Sequence, residues 1–318
     1  MSAPLIPSFL ARAGRRLFDA PYVLLSLTAL LWAGNLVLGR YIAGHIPPVT
    51  LACVRWFGAT LILLPFAWTQ LVADWPIIRR NIPLLLLLSA TGIASYNAMS
   101  YYGLQFTLAL HGLLVQSISP LMIALWSLLL FRDRLSAGQT VGILVSLVGV
   151  TVIVCQGDLD VLLHLRPNPG DIWIIAALLI YAFYAAILRL RPPLGALSFL
   201  AVIMGLGGVL LVPFAIWEAS QGIVMTLDRM TVTTLLYVMT GPSLIAYLFF
   251  NRGVELIGAN RAAPFFHLLP VFGSVLAIVF LGERLEWFHG VGYALVIGGI
   301  FTATRSKRGA RSTPAAEM

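Results

Sequence analysis

The stretch 96–154 recurs almost without gaps 150 residues later, over 246–304. In register at that offset stand Gly103 with Gly253, Ala109 with Ala259, Pro120 with Pro270, Arg134 with Arg284, Leu135 with Leu285, Val141 with Val291 and Gly142 with Gly292. The acid before the Arg-Leu pair is kept too, as Asp133 and Glu283. Seven identities in one frame, several of them at Gly and Pro, mean two copies of one backbone path. Upstream, Leu30-Leu31-Trp32-Ala33 through Arg40 reads against Leu179-Ile180-Tyr181-Ala182 through Arg189 at offset 149. Pro47-Pro48 and Pro192-Pro193 open matching runs, and Pro65-Phe66-Ala67 and Pro213-Phe214-Ala215 close them alike. The duplication therefore covers nearly the whole chain.

What each copy is made of follows from composition. The chain is 60% hydrophobic and 10% charged, with a mean hydropathy of +0.94, whereas an ordinary soluble domain is about 25% charged. A helix needs about 20 apolar residues to cross the hydrocarbon core. Ten such runs are present, at 22–39, 48–70, 82–104, 107–131, 137–155, 171–188, 195–217, 232–250, 259–281 and 287–304. Alternation of the β-barrel kind is absent, which leaves helices as the spanning structure. The expectation is an all-α membrane protein of ten transmembrane helices in two five-helix repeats. Repeat one covers 1–155, a periplasmic linker covers 156–170, repeat two covers 171–304, and a disordered cytoplasmic tail covers 305–318. Because five is odd, the second copy enters the membrane from the opposite face, so the repeat is inverted.

The net charge of +8 does not read as a nucleic-acid surface, because the basic residues are scattered over short loops. With the N-terminus inside, 15 Lys and Arg fall on the cytoplasmic side and 4 on the other, which orients both termini inward. The first apolar run is followed by Arg40 with no small-residue cleavage site, so it reads as a retained helix. Cys53 and Cys155 lie in or at the end of apolar runs and carry no disulfide or zinc spacing. No P-loop, H-E-x-x-H, G-x-S-x-G or dinucleotide turn is present. Catalysis, cofactors and metals are accordingly not expected.

Polar groups inside hydrocarbon are costly unless they face a cavity or a partner, so their positions point to a pathway. Trp32 and Asn35 share a face of the first run, and Tyr181 and Tyr184 hold the equivalent places in the sixth. Asn97 and Tyr101 in the third run correspond to Tyr247 and Asn251 in the eighth. Gly112, Gln116 and Ser119 form one stripe ahead of Pro120, which frees a backbone carbonyl. Asn260, His267 and Ser274 recur at spacing seven, in a run broken by Pro264 and Pro270. Each of these serves either a substrate cavity or an interhelical hydrogen bond. Tyr96, Tyr101 and Tyr102 lie near a helix end, where tyrosine is an interfacial belt residue by habit. His111 and His267 are either hydrogen-bonded structural groups or a proton relay. Arg55 lies about 11 Å into the second run, where it either pairs with carbonyls or neighbouring polar groups or receives a substrate carboxylate. No Asp or Glu lies deep in any run, which disfavours cation antiport through a buried glutamate.

Two five-helix halves, the Leu-Leu-Trp-Ala-Gly-Asn start at Leu30, the run ending Phe131-Arg132-Asp133-Arg134-Leu135 and the matching Leu281-Gly282-Glu283-Arg284-Leu285 resemble the drug/metabolite transporter superfamily in its EamA-type branch. Within that branch the chain looks closest to bacterial aromatic amino acid exporters. The resemblance implies a multi-pass protein of the bacterial inner membrane that moves a small molecule by alternating access. It places the cavity among the first, third, fourth, sixth, eighth and ninth helices, and so leaves Arg55 on the second helix away from substrate. Aromatic amino acids fit an aromatic, amide-bearing cavity, and flat organic cations or other small metabolites stand as the alternative. A membrane-embedded enzyme or a lipid scramblase is a more distant one. Expected partners are the substrate and the lipid bilayer. Nucleic acid is not among them, and a monomer and a weak homodimer both stay open. The expected site residues are Trp32, Asn35, Asn97, Tyr101, Gln116, Ser119, Tyr181, Tyr184, Tyr247 and His267.

Overall fold

The computed structural model describes residues 17–107, 112, 115–158, 160–161, 164, 168–281 and 284–305, the side chains of 277 and 280–281 excepted. His111, Gly282, Glu283 and most of the tail lie outside the described residues. Among the described residues, eight helices are long and apolar enough to cross a membrane. They are α1 (Pro21–Tyr41), α2 (Pro48–Arg80), α3 (Ile82–Gly103), α5 (Ala137–Val154), α6 (Pro169–Leu190), α7 (Ala196–Ser220), α8 (Arg229–Ile257) and α10 (Trp287–Arg305). Two shorter elements complete the described bundle: α4 (Ser119–Phe131) and α9 (Leu268–Leu281), the latter led by a helical turn at Ala259–Ala262 and a 3₁₀ segment at Ala263–His267.

Local chemistry sets the ends and breaks. Proline at the first turn opens α1, α2 and α6, where a missing N–H costs nothing. Ser136 with Gln139 and Asn168 with Asp171 form capping boxes at α5 and α6. The α9 run is irregular where Pro264 removes a donor. In the run expected over 107–131, the described residues 112 and 115–116 are helical, 117–118 form a turn, and the continuous helix Ser119–Phe131 begins just before Pro120. The carbonyl that this proline leaves without its helical donor is that of Gln116, and the Ser119 hydroxyl donates to it at 2.6 Å.

Counterpart helices of the two halves lie antiparallel against each other. On α5 and α10, Gly142 faces Gly299 and Ala303, while Gly149 faces Gly292 and Val296. On α2 and α7, Phe57 meets Gly208, Thr60 meets Gly205, and Gln70 meets Gly195. Helix α1 packs on α8 and α9 as α6 packs on α3 and α4. A two-fold axis in the membrane plane has this signature. The glycines let the α5 and α10 backbones touch, which is how helices associate when lipid removes the hydrophobic drive. The outer surface is apolar: Leu61, Phe66, Leu129, Phe214 and Ile216 are all more than 60% exposed.

The long helices are interrupted at matching places. Helix α3 is a π-helix over Ala90–Ser95 and α8 over Met239–Ile245, about 150 residues on. Such segments recur at functional sites. Here both face the centre of the bundle.

Candidate functional site

Between the halves lies a narrow cleft lined by Trp32, Asn35, Leu36, Arg55, Tyr96, Asn97, Ser100, Tyr101, Leu104, Gln116, Tyr247 and Leu269. In this conformation the cleft is tight, and an aromatic side chain enters only if the walls part. Trp32 also lines a smaller apolar hollow between α1, α8 and α9.

Six of the ten expected residues, Trp32, Asn35, Asn97, Tyr101, Gln116 and Tyr247, are brought together in the cleft wall. The Trp32 indole N–H donates to Pro242 O (3.1 Å) in the α8 π-segment. Its ring packs against Phe250, Tyr247, Phe266 and Tyr181, with centroids 5.2 to 5.8 Å away. The Tyr247 hydroxyl donates to Gly92 O (2.6 Å) in the α3 π-segment. The two irregular segments are thus tied to aromatic residues of the opposite half.

The other four residues sit behind the wall. Ser119 is occupied with the Gln116 carbonyl. Tyr184 is fully buried, its hydroxyl donating to Asn251 Oδ1 at 2.9 Å. Tyr181 is buried, its ring tilted against that of Tyr96 with centroids 4.5 Å apart and in contact with Phe250 and Phe266. His267 is pinned between Ser146, whose hydroxyl meets Nδ1, and Ser117, whose carbonyl accepts from Nε2 at 2.7 Å. That arrangement ties α9 to α5 and to the approach of α4.

Two expectations need correction. Tyr96 is not in an interfacial belt: it lines the cleft, with its hydroxyl 3.4 Å from Gln116 Nε2. Tyr102, partly exposed and packed edge-on to Trp173 and Phe106, matches the belt description. Arg55, expected away from the cavity, is in its wall and only 1% exposed. Its Nε donates to Ser243 Oγ (2.5 Å), and its Nη1 to Asn97 Oδ1 (2.9 Å), Tyr101 OH (2.7 Å) and Asn35 Oδ1 (3.4 Å). The guanidinium also lies 4.5 Å from the Trp56 ring centroid. From α2, which the resemblance leaves outside the cavity, the arginine arm carries its charge into the cleft wall. Ser243 is a residue that sequence reasoning missed, and its place beside Gly241-Pro242, a helix-breaking pair, was the available signal.

A helical membrane bundle of two antiparallel repeats, holding a polar and aromatic cleft at their interface and interrupted helices around it, has the build of a membrane transporter. The chain belongs to the EamA-like transporter family, within the drug/metabolite transporter superfamily. The family model matches residues 20–155 and again 168–305. It is 25% identical over 285 residues to the uncharacterized transporter YyaM of Bacillus subtilis, covering 89% of this chain and 93% of the relative. It is 27% identical over 290 residues to a probable amino-acid metabolite efflux pump of Salmonella typhimurium, covering 86% and 91%. A solved crystal structure matches with a TM-score of 0.68 at 20% identity, over 88% of this chain and 96% of the other. That last likeness bears on the fold alone.

Proposed function

We propose that this chain is a secondary transporter of the bacterial inner membrane, with both termini cytoplasmic, that exports amino acids by alternating access. The preferred substrates are the aromatic ones, Phe, Trp and Tyr, as the resemblance to the aromatic amino acid exporter YddG implies. The observation that carries this reading is the cleft wall, in which Trp32, Tyr96 and Tyr247 stand beside the amides of Asn35, Asn97 and Gln116 and the cation of Arg55. Aromatic rings reward a flat apolar side chain by burial and edge-to-face contact, while the polar groups suit an amino acid head. The relative named as a probable amino-acid metabolite efflux pump supports the same substrate class. Flat organic cations, the alternative, would meet Arg55 and no carboxylate among the cleft-lining residues.

The test is flux of labelled phenylalanine and tryptophan in proteoliposomes, with and without a pH gradient. The expected result is flux by the wild type that falls in Trp32→Ala and Tyr247→Ala. If neither amino acid moves while a labelled organic cation does, the amino acid reading is wrong.

A further inference from the structure

The charged and amide groups that line the cleft all come from repeat one. At the repeat offset, Asn97 corresponds to Tyr247, Ser100 to Phe250 and Gln116 to Phe266. On the frame set by Pro65 and Pro213, Arg55 corresponds to Ile203. Among the cleft-lining residues, repeat one supplies Arg55 and the amides of Asn35, Asn97 and Gln116 beside the rings of Trp32 and Tyr96, and repeat two supplies Tyr247 and Leu269. A symmetric solute has no use for such a wall. A molecule with a compact polar head and an apolar tail fits it.

Within the cleft, Arg55 and Gln116 lack what chemistry would give them, and the Ser100 hydroxyl is without a hydrogen bond as well. Arg55 is buried in the hydrocarbon zone, where an uncompensated charge is costly. It is held only by four neutral oxygens, and no carboxylate of the described residues lies within 4.0 Å of it. Asn and Tyr oxygens keep the guanidinium in place but leave its charge unbalanced. Gln116 is 3% exposed and lines the same cleft, and its Oε1 makes no hydrogen bond. A buried amide oxygen without a donor forfeits its hydration with nothing in return. The cleft therefore presents a cation short of an anion and an acceptor short of a donor.

We infer that these two groups form a receptor for a zwitterionic α-amino acid head, with the carboxylate on the Arg55 guanidinium and the ammonium on Gln116 Oε1, and with the side chain directed toward Trp32, Tyr247 and Leu269. The planar fork of arginine is suited to a carboxylate, which displaces the Asn97 and Tyr101 oxygens from Nη1. The ammonium donates to the orphan amide oxygen, and the Ser100 hydroxyl, in the same wall, is a second acceptor. This assignment rests on the amino acid reading given above and specifies how the head is held.

The test is binding of L-phenylalanine, phenethylamine, which lacks the carboxylate, and 3-phenylpropionate, which lacks the ammonium, to purified wild type, Arg55→Gln and Gln116→Leu by calorimetric titration. Arg55→Gln should weaken phenylalanine and 3-phenylpropionate about 10- to 100-fold, the size of a lost charge-assisted hydrogen bond, and leave phenethylamine unchanged. Gln116→Leu should weaken phenylalanine and phenethylamine and leave 3-phenylpropionate unchanged. Should Arg55→Gln not survive gel filtration, Arg55→Lys carries the same comparison, with a smaller loss for the two carboxylates. If wild type binds phenylalanine but each variant weakens all three compounds alike, or none, the head receptor is refuted and the amino acid reading stands. If wild type binds phenethylamine alone, both fall and the organic-cation alternative returns.

Discussion

The adjacent glycines of α10, Gly298 and Gly299, provide a stringent check on the antiparallel pairing of the repeats. A Cβ at Gly299 would stand 2.5 Å from Gly142 O, 2.6 Å from Ser146 N and 2.7 Å from Ser146 Cβ, whereas one at Gly298 meets nothing within 4 Å. Ordinary carbon contacts need about 3.5–4.0 Å, so alanine at 299 forces the two helices apart by roughly 1 Å. The atoms in the way are mostly backbone, and no rotamer change can clear them. A gap of that size forfeits about a quarter to a half of each contact's attraction, and the same shift loosens the second crossing at Gly149 and Gly292. Overpacking of this kind costs about 1–3 kcal/mol, which corresponds to a fall of roughly 2–5 °C in melting temperature for a chain of this size. Gly298→Ala should be neutral or gain up to about 1 kcal/mol from helix propensity. Melting of both variants in dodecyl maltoside, followed by tryptophan fluorescence, reads the difference directly. If both melt together, or Gly299→Ala melts at or above the wild type, the two helices do not cross at these glycines.

Two further outcomes follow from contacts around the cleft and at its rim. Tyr247→Phe removes the hydroxyl held by Gly92 O but keeps the ring beside Trp32, so it should cost about 0.6–1.7 kcal/mol, the range of interhelical hydrogen bonds in membranes. Flux should survive in that variant and fall in Tyr247→Ala; equal loss in the two would move the role from ring to hydroxyl. At the loop end of α8, Asp228 caps Thr231 N at 2.7 Å and pairs with His45 at 2.8 Å. The Thr231 N–H above all, with help from His45, holds this carboxyl below its unfolded value of 3.8. A depressed pKa stabilises the fold above the unfolded value, and the contribution is lost as pH falls through the folded one. Asp228→Ala should therefore melt below the wild type near pH 6, with the gap narrowing toward about pH 3; a gap that widens on acidification contradicts the sign.

The parts of this molecule that were legible in the sequence are those that duplication repeats. Gly142 and Gly292, or Pro120 and Pro270, fix where backbones touch and where helices break, because a missing side chain or a missing N–H acts the same way in both copies. The π-segments were less legible, although Gly92 and Gly241 fall at the offset of 149, since an i→i+5 turn has no residue code of its own. Side-chain reach was least legible. Ser119 looked like a cleft residue by spacing, but the carbonyl freed by Pro120 claims its hydroxyl first. Arg55 looked peripheral because the resemblance leaves its helix outside the cavity, yet an arginine head lies several ångströms from its own backbone and goes where acceptors at its depth allow. The pairing with neighbouring polar groups expected of it is present, and it is the reason the cleft stays charged: partners that carry no charge hold the guanidinium still without neutralising it. An acidic partner in place of Asn97 or Asn35 would have closed the pair and left a structural ion bridge. The asparagines leave the positive charge facing the cleft.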